Sequence, residues 1–155
     1  MSDGSVIRMG RPVPADEVFE AWTSGDLNKM LAALPKRTNP IDRHFLLQGI
    51  VQATYRRRSD QRMRQICKDV GRQHIAEFKD IAPALKTDMG GMLPRVVTFQ
   101  HVATVFAEDR EYEEAIKVCE TAIAFGLFDG TKGGFNRRMA RISKKQESER
   151  RARAT

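Results

Sequence analysis

With 155 residues, 41% of them apolar, few aromatics and almost no runs of β-branched residues, the chain is able to bury a core without staples, and its composition excludes disorder and favours helix throughout. Its net charge of +7 resides wholly in residues 132–155, where nine basic side chains face two acidic ones, while the remainder carries 18 of each sign; basicity belongs to the tail and not to the domain. Cys67 and Cys119 lie far apart on apolar helix faces, which fits reduced core thiols rather than a disulfide framework. No apolar run approaches membrane-spanning length and Met1 to Pro14 has no uninterrupted apolar segment of the secretory kind, so the expected setting is cytoplasmic with no membrane span.

In chain order, residues 1–14 contain Gly4, Gly10, Pro12 and Pro14 with little apolar patterning and read as a flexible N-terminal arm. A first helix is predicted from about Ala15, with Val18, Phe19 and Trp22 inward, ending at Thr23-Ser24-Gly25. Asp26 caps a second, whose Leu27, Met30, Leu31 and Leu34 form one stripe before Pro35 stops it. Asn39 as N-cap followed by Pro40 starts a third, running to about Arg58 with Ile41, Phe45, Leu46, Ile50 and Val51 as a broad apolar face. Asp60 caps a fourth helix striped by Met63, Cys67, Val70 and His74, which Pro83 is expected to interrupt near Ala82. Gly90-Gly91 marks a connection.

The most informative stretch is Phe99 to Leu127. Phe99, Val102, Ala103 and Phe106, then Tyr112, Ala115, Ile116, Cys119, Ala122 and Ile123, put one apolar stripe on each of two helices separated by the polar turn Glu108-Asp109-Arg110-Glu111. The small residues allow the two axes of an antiparallel pair to approach closely. After the loop Asp129 to Gly134, Phe135, Met139 and Ile142 give a seventh helix, and from Lys144 to Thr155 the apolar pattern stops, so a frayed basic tail is expected in preference to a solvated extension of the helix. The chain thus divides into an arm at 1–14, one helical domain at 15–143 and a basic tail at 144–155.

This pattern of Phe99, Ala103, Tyr112, Ala115 and Ala122 resembles one tetratricopeptide repeat, a helix–turn–helix unit of about 34 residues. Arg110-Glu111 stands where that pattern has Gly-Asp, and Leu127 where it closes on proline; Gly25-Asp26-Leu27 with Met30 and Leu31 is a fainter echo. The resemblance implies an all-α fold of about seven helices in antiparallel pairs, a right-handed helical repeat with a C-terminal capping helix, acting as a non-enzymatic scaffold for a protein or peptide. Some members clamp a terminal carboxylate with Lys and Asn on a first helix; Gln100 and Thr104 occupy those places here, which does not support the clamp. The implied contact surface lies on first-of-pair helices, with Arg57, Gln100, His101 and Thr104 as candidates.

Signals for chemistry are weak. His44, His74 and His101 share no close metal spacing, neither cysteine belongs to a paired motif, and Cys67 with His74 reads as core, so no metal, cofactor or catalytic residue is expected. Gly130-Thr131-Lys132-Gly133-Gly134 reads as an interhelix loop, with an anion cradle as the sharper alternative. Arg56, Arg57, Arg58, Arg62 and Arg72 suggest a positive ridge neutralised by Asp60 and Asp69. Arg137, Arg138, Arg141, Lys144 and Lys145 crowd the last helix; dense charge without interleaved aromatics points to nonspecific nucleic-acid contact as the alternative function.

Overall fold

The computed structural model describes residues 4–155. Among them, strands β1 (Ser5–Arg8) and β2 (Arg11–Pro14) precede seven helices: α1 (Glu17–Ser24), α2 (Leu27–Ala33), α3 (Pro40–Arg56), α4 (Gln61–Asp88), α5 (Val97–Glu108), α6 (Tyr112–Ala124) and α7 (Gly134–Ala154). The helices start where side chains can satisfy free amides. Asp16, Asp26, Asn39 and Asp60 accept from Phe19, Lys29, Ile41 and Asp42, and Met63 backbone N–H groups respectively.

Paired residues give the helix directions. Arg43 meets Glu77, the His44 ring meets His74, and the Cys67 thiol faces the Val51 carbonyl, so α3 and α4 are antiparallel. Arg64 reaches Asp109 and His74 reaches Thr98, so α4 and α5 are antiparallel as well. Helices α3 and α5 therefore run the same way. Gly71 makes the α4–α5 approach possible, since a Cβ there would lie 2.2 Å from Val102 Cγ2. Ala103, Ala115, Cys119 and Ala122 are fully buried, as their spacing predicts, and Phe78 sets its edge against Phe99 and Phe125 at 5.4 and 4.9 Å between centroids.

Two polar clusters sit within this apolar frame. Asp42, fully buried, accepts from Arg8 Nη2 and Trp22 Nε1 at 2.9 Å each and from Asn39 Nδ2 at 2.6 Å. Burial pushes its carboxyl up, but those bonds outweigh it and hold the group below the ordinary value. The second cluster is a chain through the core: His44 Nδ1 to His74 Nε2 at 2.9 Å, and His74 Nδ1 to Thr98 Oγ1 at 2.7 Å.

Three expectations are corrected. Residues 5–14 form an antiparallel ribbon in the register Val6↔Val13, fastened by Arg8 to Asp42 and by the Met9 N–H to Asp88 Oδ1 at 2.7 Å; residues 1–3 of the expected arm lie outside the described residues. Helix α4 passes through Pro83 to Asp88, because the ring sits on the exposed face while Ile81, Ala82 and Leu85 bury the opposite one. Helix α7 does not fray at Ser143 but continues to Ala154, although its only buried residues are Phe135 and Ile142. Its distal half is rich in good helix formers and carries Arg150 and Arg151 beside Glu147 at 3.4 Å.

Candidate ligand-binding face

The end of α3 and the middle of α5 meet in an aromatic stack. The Tyr55 and His101 rings lie 3.9 Å apart at 16°, and the Arg58 guanidinium lies 4.0 Å from the Tyr55 centroid. Two partners so near one ring must occupy opposite faces, so Tyr55 is a closed sandwich. Arg56, Arg58, Arg95 and Arg138 surround the stack electrostatically: burial first, then these four cations, push the His101 ring down to about 4. Arg95 lies against the backbone at Gly130, where a Cβ would come within 2.2 Å of its guanidinium.

Beside this stack, α7 stands off from α5 and leaves a cavity of about 230 Å³. Thr104, Ala107, Glu108 and Tyr112 form one wall; Arg138, Arg141, Ile142 and Lys145 form the other. Arg138 spans the gap, donating from Nη1 to Thr104 Oγ1 at 3.2 Å and from Nε to Asp129 Oδ2 at 3.0 Å. The Thr104 hydroxyl in turn donates to the Gln100 carbonyl at 2.9 Å.

The glycine-rich loop explains how Arg138 is held. Asp129 is buried at 2% exposure and takes Thr131 N–H at 2.9 Å, the Thr131 hydroxyl at 2.5 Å and Arg138. Burial opposes the charge, yet these donors hold its carboxyl below the ordinary value. The anion that this loop wraps is thus its own aspartate.

The expected ridge is neutralised in part as anticipated, by Asp69 beside Arg72, and in part, at Arg58, by a different set of carboxylates. Arg58 donates to Glu108 at 3.0 and 3.2 Å, Arg64 to Glu108 and Asp109 at 2.8 and 2.9 Å, and Lys68 contacts Asp109 and Glu111. Three cations and three carboxylates close into a neutral network that ties α3 and α4 to the α5–α6 turn. Asp60 is occupied as a cap and Asp69 bonds Gln65 and Arg72.

Of the nine candidate residues, the structure brings four to the cavity: Thr104, Arg138, Arg141 and Lys145. Gln100 is one turn before Thr104, with a buried amide oxygen that has no partner among the described residues. His101 joins the stack, whereas Arg57 is the exposed C-cap of α3 and lines neither feature. Arg137 and Lys144 are exposed on α7 outside the cavity. Tyr55, Arg95 and Asp129 escaped the sequence reading. Tyr55 carried one available signal, an aromatic immediately before three arginines.

Both cysteines are free and buried, and burial pushes the Cys119 thiol up to about 11 and the Cys67 thiol upward as well, so neither offers a thiolate at neutral pH. Among the described residues no three His, Cys, Asp or Glu side chains gather to hold a metal, and no helix is long and apolar enough to cross a membrane. Comparison of the chain with protein-family models, curated proteins and solved structures finds no match to any of them.

Proposed function

We propose that the chain is a non-enzymatic, tetratricopeptide-like scaffold that works in the cytoplasm and binds an acidic segment of another protein on the face shared by α3, α5 and α7. The observation that carries this reading is that Arg141 and Lys145 line the cavity with no carboxylate partner among the described residues, with Arg56 and Arg95 near enough to act on His101, while Arg138 is paired with Asp129 and nearby Arg58, Arg64 and Lys68 are consumed by other carboxylates of the chain itself. A face with unspent cations beside apolar walls suits carboxylate side chains on a peptide. The parallel course of α3 and α5, with α4 returning between them, supports the repeat-like part of the reading. Two unpaired, protonated thiols suit a reducing compartment.

Nucleic acid is the second reading, favoured by Arg137, Lys144 and Arg153, which are exposed on α7 without a carboxylate partner among the described residues. Sequence-tolerant binding of single strands uses open aromatic faces, and both faces of Tyr55 are covered. Fluorescence anisotropy decides between them. A degenerate Glu/Asp-rich peptide library is expected to bind the full chain and the chain truncated after Lys145, which keeps every residue of the cavity lining, alike at moderate salt. Binding that appears only with an oligonucleotide, or that vanishes on truncation, overturns the protein-binding reading.

A further inference from the structure

The charges around the α5–α7 cavity do not balance, and the remainder has a definite size. Arg138 is offset by buried Asp129 at 3.0 Å. Glu108, the acidic member of the lining, is offset by Arg58 and Arg64 within their neutral network. Arg141 and Lys145 have no carboxylate partner among the described residues, and both line the cavity. They fall three and seven positions after Arg138 on α7, hence on one face of that helix. The excess is two positive charges on exposed side chains at the mouth of a partly apolar cavity.

Donors are also left over. Arg138 spends Nε on Asp129 and one Nη1 proton on Thr104, so its Nη2 remains unspent, fixed in place by the two bonds it already makes. Arg141 and Lys145 add unspent donors of their own. A single carboxylate would neutralise half of the excess and use two acceptor oxygens. A phosphate monoester carries about −1.5 to −2 charge with three strong acceptor oxygens, and matches both the charge and the donor count; a phosphodiester of a nucleic-acid backbone carries one charge.

We propose that this cavity is a phosphate-monoester site that receives a phosphorylated side chain of the bound protein segment, with Arg138 as the fixed donor and Arg141 and Lys145 as the neutralising pair. This deepens the reading of the face as a binder of acidic segments and rests on it. The site selects a modified form of the partner, so that phosphorylation strengthens the association.

The test titrates the full chain, followed by amide and side-chain NMR shifts, with four probes: inorganic phosphate, a degenerate acidic peptide library bearing one phosphoserine, the same library with serine, and a single-stranded oligonucleotide of similar length. The phosphoserine library is expected to bind about tenfold more tightly than the serine library, through the added charge-assisted hydrogen bonds, with shifts centred on Thr104, Arg138 and Arg141. The double variant Arg141→Gln, Lys145→Gln removes that difference, while Arg137→Gln, Lys144→Gln, with the same change in net charge on the same helix, keeps it. Equal binding of the two libraries overturns the phosphate site; if both still bind, the acidic-segment reading stands, and if neither binds, both fall. Inorganic phosphate binding without phosphopeptide preference, or an oligonucleotide competing at equal affinity, also overturns it.

Discussion

Acidification should unfold this protein through its own core. His44 is 1% exposed and His74 fully buried, and the two rings share one proton between facing nitrogens 2.9 Å apart. Burial pushes His44 from 6.5 to about 4; burial, the His44 ring and Arg43 push His74 well below 6.5. Both are therefore neutral in the folded chain at pH values where an unfolded chain takes up protons. The unfolded state binds more protons below pH 6.5, so stability is complete above that value and falls as pH drops toward 4. Between pH 7.5 and 5 a histidine displaced as far as His44 loses about 2 kcal/mol, and His74 adds a loss of the same sign, against a typical total of 5–15 kcal/mol. Urea denaturation at pH 7.5, 6.5, 5.5 and 5.0 reads the slope directly. The double variant His44→Gln, His74→Gln will be less stable at pH 7.5 and should lose the part of the slope that these two rings supply, keeping the part from His101, which is lowered as far as His44. A wild-type stability that is flat or rising on acidification from pH 6.5 to 5 would refute the neutral-pair argument. The lowered carboxyls of Asp42, Glu77, Glu108, Asp109 and Asp129 add a loss of the same sign in a separate, lower window, below their ordinary values of 3.8 to 4.5.

Two substitutions test the packing and the turn. Gly71→Ala gains about 1 kcal/mol of helix propensity, yet its methyl meets Val102 Cγ2 at 2.2 Å, and overpacking of about 1–3 kcal/mol should leave a net loss; thermal unfolding checks it, and adding Val102→Ala should recover part of the loss, whereas a single variant as stable as wild type removes the close-approach argument. Arg110 holds φ at +61° in the α5–α6 turn, so Arg110→Gly should stabilise by up to ~1 kcal/mol, its exposed 3.8 Å pairing with Glu149 contributing little. A lower unfolding midpoint for that variant would contradict the backbone-strain account.

The helices were legible wherever local rules suffice. Asp26, Asn39 and Asp60 announce their helices because a cap needs only three or four neighbouring residues, and the stripes at Phe99 to Ala122 announce a buried pair because period alone carries that information. The ribbon was not legible. Its strands are four residues each, Pro12 and Pro14 argue against strand, and its turn places Met9 at φ +52° before Gly10, a position at which asparagine would have been the signal. Pro83 misled because its effect depends on whether the freed carbonyl faces water, which burial on the other side of α4 decides. For the candidate site, the residue types were visible, but not their meeting: Thr104 and Arg138 are 34 positions apart, and Arg58 and Glu108 are 50. Ion pairing at such separations is a property of the tertiary fold, so which arginines stay unspent is invisible in the chain.

The two anchors of the ribbon also set an order of events during synthesis. Arg8 waits for Asp42, 34 positions on, and the Met9 amide waits for Asp88, 79 positions on. A two-stranded ribbon is marginal by itself in water, and its distant anchors exist only once Asp42 and Asp88 have been made. Residues 4–14 become fixed only after α3 has formed and the far end of α4 has been translated. The ribbon is thus a clasp that joins the start of α3 to the far end of α4, and it can be fastened at both points only when the whole of α4 is present.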